Sequence, residues 1–151
     1  MQRMLITRIG RRHAGWLTGD FAEVSASPRI FPLPFPLPYL VGTAFRRGRL
    51  VTVVDSHALM GEEPPGDGGG ILLRFAPPLS HLGFLVPKVE AVIPYAELNL
   101  REDHAEGIWA GLYPWDDQWV NVVHPSAATA EINRAAASAI RHLAAGRDHA
   151  S

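Results

Sequence analysis

The sequence predicts a mostly β protein with a single long helix at its carboxyl end, on three observations. Prolines and glycines fall between short apolar runs along nearly the whole chain instead of collecting in one linker, which is the spacing of strands joined by turns. The apolar runs are rich in valine and aromatic residues, side chains that fit a pleated surface. Only the residues after Pro125 keep up a helical period. With 151 residues and 16.5 kDa there is room for one ordinary domain, or for two very small lobes sharing a continuous core.

Taken in order, residues 4–9 form a strand, Gly10-Arg11-Arg12 a turn and residues 13–18 a returning strand, so a hairpin opens the chain. Residues 21–25 begin another extended segment. Residues 30–38 carry a proline at every second position, which forbids helix, removes ladder donors and predicts an extended surface connection. Residues 40–45 and 50–54 flank Arg46-Arg47-Gly48-Arg49 as a second hairpin, with Gly48 supplying the turn. A helical turn follows at 56–60, an exposed loop at 62–70 separates two strand-rich halves, and residues 71–75 restart the β pattern. Further strands fall at 82–86, 89–93 and 119–123, with a polar connection over 97–107. In the terminal helix Ser126 is the expected cap and Gly146 the expected stop. Ile132, Ala136, Ala139, Ile140 and Leu143 share one face, of which Ile132, Ile140 and Leu143 are the expected buried stripe.

Composition narrows the function. Apolar residues make up 47% and charged residues 19% of the chain, too hydrophobic for disorder and too evenly charged for a polyelectrolyte. There is no cysteine, which removes disulfides, thiol nucleophiles and cysteine-based zinc sites. The uncharged run 30–44 contains four prolines and lacks the length of a membrane span, and no signal region opens the chain. A soluble cytoplasmic protein, with no membrane insertion, is the expectation. The net charge of −1 hides an uneven split. The first fifty residues hold eight basic side chains against Asp20 and Glu23, or +6, while the rest hold six against thirteen acidic ones, or −7. That asymmetry is enough to orient a charged partner.

No catalytic constellation is assembled in the sequence, so no enzyme, cofactor or metal is expected. The glycines at 66–70 lack the lysine and hydroxyl residue of a phosphate loop. Asp55-Ser56-His57 brings triad-type residues together, but neighbouring positions diverge in strand and in helix alike. The seven histidines have no metal-ligand spacing. Trp109, Tyr113, Trp115 and Trp119 form an aromatic cluster with two readings. One is core or hairpin packing. The other, the alternative function, is a small-barrel module that binds oligonucleotides or oligosaccharides, although the nearby acidic charge repels phosphate. Arg46-Arg47-Gly48-Arg49 is the clearest polar anomaly: its guanidinium groups are either solvated or, for one of them, buried between lobes as a fork donor.

An ordered set of short motifs resembles the CheW-like domain of bacterial chemosensory systems as far as His124. Phe21-Ala22-Glu23-Val24 is similar to V-x-E-V, and the segment from Pro36 to Gly42 to the family's P-x-x-(hydrophobic)-x-G. The run from Phe45 to Asp55 resembles N-L-R-G-x-(I/V)-x-P-V-(I/V)-D, and the run from Leu82 to Val92 resembles G-(hydrophobic)-x-V-D-x-V-x-E-V. The resemblance implies two small five-stranded SH3-like barrels packed together over residues 1–124, followed here by a helix at 125–146 and a tail at 147–151. It also implies a non-enzymatic adaptor that docks with the regulatory domain of a CheA-like histidine kinase and with the cytoplasmic tip of a chemoreceptor, without nucleic acid. Residue by residue it carries over Glu23, Arg47 and Asp55 as protein-binding positions. The chain departs from the pattern at Phe45 and Arg46 in place of Asn-Leu, Thr52 in place of proline, Pro87 where aspartate is common and His124 where an acid often ends the last strand.

Overall fold

The computed structural model describes residues 2–65 and 70–150. Positions 66–69 of the expected 62–70 loop therefore lie outside the described residues. The strands are β1 (Arg3–Ile9), β2 (Arg12–Leu17), β3 (Phe21–Ala26), the two-residue β4 (Phe31–Pro32), β5 (Leu40–Arg46) and β6 (Arg49–Asp55). A single helical turn, α1 (Ser56–Leu59), precedes β7 (Ile71–Phe75), β8 (Leu82–Val86), β9 (Val89–Pro94), β10 (Trp109–Trp115) and β11 (Gln118–Val123), and α2 (Pro125–Ala150) closes the chain.

The strands form two sheets, ordered β10-β11-β2-β1-β9 and β3-β7-β8-β6-β5-β4. Leaving out the short β4, the two are the same design. An antiparallel hairpin (β10-β11 or β5-β6) joins through one parallel pairing (β11 to β2, β6 to β8) to a second antiparallel pair, and an edge strand (β9 or β3) completes the sheet. Both sheets curl until their far strands meet. In the first, Tyr113 on β10 accepts a hydrogen bond at its hydroxyl from the amide of Ala96, just past β9, at 3.1 Å. In the second, β3 and the end of β5 are joined by the Glu23 ion pairs described below.

The lobes are not the two sequence halves expected on either side of residues 62–70. The first sheet takes β1 and β2 from the start of the chain and β9 to β11 from its end. After β2 the chain crosses to supply the edge strand of the second sheet, and after β8 it crosses back to supply the edge of the first. Each lobe thus completes the other. Local patterning gives no sign of this, because the parallel pairings that define it lie far apart in sequence.

Packing explains why several strands read as continuous apolar runs rather than alternating ones: both of their faces are buried. On β1, Met4 and Ile6 fill the first lobe while Leu5 and Ile9 face the second; on β6 and β7, Val53 and Leu72 fill the second lobe while Val54 and Leu73 face the first. The largest core lies between the sheets and includes Trp16, Phe75 and Phe84, with the Trp16 and Phe84 rings 5.4 Å apart. The indole N–H of Trp16 donates to the Thr7 hydroxyl at 2.9 Å, so neither buried polar group is orphaned.

Three element-level expectations are corrected. The proline segment contributes β4, which pairs with β5 at Gly42, where any side chain would strike the Phe31 carbonyl. Residues 109–115 form a strand despite Gly111 and Pro114, because β11 and the bridge from Arg101 to Leu112 hold it. The helix starts at Pro125, favoured at a first helical position, but its cap is His124 rather than Ser126: the imidazole Nδ1 accepts from the Ala127 amide at 3.1 Å. It also runs through Gly146 to Ala150. Ala128, Ile132 and Ala135 are its buried stripe, while Ile140 and Leu143, expected inside, are each 50% exposed, because the helix has by then left the body of the protein.

Candidate docking surface

β3 places Glu23 on the inward side of the second lobe, where its side chain is only 8% exposed. The β5–β6 turn brings two arginines to it. Arg46 Nε donates to Oε1 at 2.8 Å and Arg47 Nε to Oε2 at 2.7 Å, so each carboxylate oxygen has its own charged donor. These hydrogen bonds, Arg47's first and then Arg46's, hold the Glu23 carboxyl below the ordinary carboxylate range, against the opposing effect of burial. The turn is tight, with Arg47 and Gly48 both at positive φ (51° and 76°), the geometry that suits the twist of a two-residue hairpin.

Glu23 and Arg47 therefore come together as a pair, with Arg46 as a third member that the sequence reading left unassigned. Its inward position follows from alternation with Ala44, which faces the lobe interior. The expectation of an arginine fork buried between lobes is corrected. Arg47 binds within one lobe, through Nε alone, and its side chain is 77% exposed. Most of its donors are therefore free to meet a partner. Next to it, Phe45 and Leu50 pair across the hairpin and are 64% and 56% exposed.

Asp55 does not join this site. It ends β6, at the opposite end from the turn, where its Oδ1 accepts from the Ala58 amide at 3.2 Å and caps α1. Asp55, the last residue of β6, and His124, the first after β11, thus occupy matching places in the two lobes, each capping the helix that follows. Among the departures, Thr52 uses the N–H that a proline would lack, donating to the His81 carbonyl at 2.8 Å.

A second concave surface lies between the lobes and α2. This open cleft of about 630 Å³ is lined by Arg12 and Trp109 from the first sheet, by Tyr39 just before β5 and Met60 just after α1, and by Glu131 and Arg134 from the helix. The Tyr39 hydroxyl donates to Glu131 at 3.2 Å and Arg134 grips the same carboxylate, tying α2 across the cleft. The Arg12 guanidinium sits 5.2 Å from the Trp109 ring centre. The aromatic cluster does not form one stacking platform: Tyr113 is buried, Trp115 packs edge-on against His13, Trp109 lines the cleft, and Trp119 alone is strongly exposed, beneath Arg101. The four therefore share no single face on which successive bases or sugars could stack.

No protein-family model matches the chain, and no curated protein matches it in sequence. Among solved structures, it is similar to the scaffolding protein TtCheW from Thermoanaerobacter tengcongensis, with a TM-score of 0.68 over 82% of this chain and 84% of that one, at 18% identity. An identity that low speaks for fold and not for activity. What the strand order and this likeness establish together is that the chain has a CheW-like fold, two small interlocked β lobes with a carboxyl-terminal helix.

Proposed function

We propose that the protein is a non-enzymatic adaptor of a bacterial chemosensory system, coupling chemoreceptors to a CheA-like histidine kinase. The observation that carries this reading is the fold likeness to a scaffolding protein over most of both chains. The β5–β6 turn supports it: Arg47 is largely exposed and oriented by Glu23, and the apolar Phe45 and Leu50 lie beside it. An exposed apolar pair rimmed by fixed charge is a docking surface in miniature. One such contact is weak, and many cooperating copies supply the strength. Asp55, the third position the resemblance carries over, caps α1 and lies at the far end of β6 from this turn.

The test is affinity capture of the full chain from its native cell, followed by mass spectrometry, alongside Arg47→Lys and Arg49→Lys. A lysine keeps the charge of Arg47 but not its planar set of donors. Enrichment of a histidine kinase and receptors with wild type and Arg49→Lys, reduced with Arg47→Lys at unchanged thermal stability, is the expected result. Absence of both partners from the wild-type capture overturns the proposal.

A further inference from the structure

The second lobe gathers more positive charge around Glu23 than that one carboxylate neutralises. On the strands of the second sheet the only acids are Glu23 and Asp55, and Asp55 lies at the far end of β6, where it caps α1. Four arginines stand on the other side of the balance. Arg46 and Arg47 each occupy one Glu23 oxygen through Nε. Arg49 is the ladder partner of Arg46 and shares its face, and Arg74 is the ladder partner of Glu23 across β3 and β7. Arg74 also follows Leu72 by two residues, and Leu72 fills the second lobe, so the two side chains leave the strand on the same, inward side.

Arg74 is nevertheless unpaired. It makes no hydrogen bond or ion pair among the described residues, and its Nε is buried, because both oxygens of the carboxylate directly opposite are held by Arg46 and Arg47. One step along the same ladder, on the same face, Ser25 opposite Leu72 has a buried hydroxyl oxygen that also lacks a partner. A guanidinium does not shed its proton to escape burial. Water can accept from its N–H groups but leaves the charge uncompensated. Four cations face one anion, an excess of +3. Asp20, the next acid along the chain, does not offset it, since it lines a separate hollow with Pro125 and Ser126 at the start of α2.

We propose that this end of the second lobe binds a phosphate group, with Arg74 as the inner anchor and the terminal nitrogens of Arg46 and Arg47 at the rim. Arg46 and Arg47 use only Nε on Glu23, and Arg74 keeps its whole fork, so three guanidinium groups have donors to offer. That is more than the two oxygens of a carboxylate engage; a phosphate monoester brings three oxygens and up to two negative charges, the closer match to the local excess. Glu23 acts as the positioning residue that fixes the two rim arginines. The phosphate arrives either free or on a phosphorylated side chain, and the probes below separate the two. The inference goes beyond the adaptor reading and does not depend on it.

Urea unfolding of the full chain in about 10 mM inorganic phosphate, against chloride at equal ionic strength, tests it. A few charged hydrogen bonds at an open site correspond to a Kd of about 1 mM, so phosphate is expected to raise the folding equilibrium constant about tenfold over chloride. Arg74→Met keeps an apolar stem and removes the unpaired charge. It is expected to be more stable than wild type in chloride and indifferent to phosphate. A second readout needs no variant: in wild type, the Nε–H nuclear magnetic resonances of Arg46, Arg47 and Arg74 should move with inorganic phosphate and stay in place with chloride. Phosphoserine blocked at both ends, binding about tenfold tighter than inorganic phosphate, assigns the site to a phosphorylated side chain, and equal affinity assigns it to free phosphate. Equal effects of phosphate and chloride on stability and on those resonances, or a phosphate response undiminished in Arg74→Met, overturns the proposal.

Discussion

Replacing Glu23 by Gln tests whether the ion pairs that close the second lobe hold it together. The substitution keeps the size and one acceptor oxygen but turns an N–H donor group toward one of the two arginines. The two contacts differ in worth. Arg46 is 30% exposed and meets a carboxylate that is 8% exposed, so its charged hydrogen bond falls in the range of about 1.5–3 kcal/mol. Arg47 is 77% exposed, and solvent screening reduces its share to about 0–1 kcal/mol. The expected loss at neutral pH is therefore about 2–3 kcal/mol, or roughly 4–12 °C in Tm for a domain of this size. Urea unfolding at a series of pH values adds a sign. The Glu23 carboxyl is held below its ordinary value in the folded protein, so its stabilisation is fully present above the unfolded carboxyl pKa of about 4.3 and is lost as pH falls through the lower folded value. The stability gap between wild type and Glu23→Gln should therefore close in acid. Equal stability at neutral pH, or a gap that persists undiminished in strong acid, would refute the reasoning.

Ile132→Ala should cost about 2–5 kcal/mol, since Ile132 is 3% exposed in the central core, whereas Leu143→Ala, at a half-exposed position beyond the body, should cost under about 0.5 kcal/mol in chemical unfolding. His124→Ala should lower stability by about 1 kcal/mol and His124→Asp should recover or exceed wild type, because aspartate is the better acceptor for the Ala127 amide; equal stability of all three would remove the capping role. Gly42→Ala should detach β4, because the added methyl meets the Phe31 carbonyl, and amide exchange at Thr43, the ladder partner of Phe31, should accelerate if the pairing is real. Thr52→Pro, which restores the residue usual in the resembling motif, should destabilise the protein by about 1–3 kcal/mol, because it removes the N–H that bonds the His81 carbonyl; an unchanged unfolding midpoint would count against that account.

Sequence by itself determined the local units. Short valine-rich runs between breakers became strands, Gly10 and Gly48 marked hairpin turns, and the helical period after Pro125 became α2. These follow from backbone sterics and side-chain period, which act within a few residues. The motif order also singled out Glu23 and Arg47, and the structure brings those two side chains into contact. Tertiary structure alone decided the rest. The division into interlocked lobes depends on the parallel pairings β11–β2 and β6–β8, between segments that no local pattern links. β10 contains Gly111 and Pro114, both disfavoured inside a strand, and only its partners on both sides make the extended form stable there. The outer part of α2 has the right period for burial, but its apolar stripe outlasts the surface it packs on, so Ile140 and Leu143 stay half exposed. Arg46 became a ligand of Glu23, and Asp55 a helix cap, for the same reason: a side chain's role is fixed by what the closure of a curved sheet brings within reach, and closure belongs to the whole chain rather than to any stretch of it.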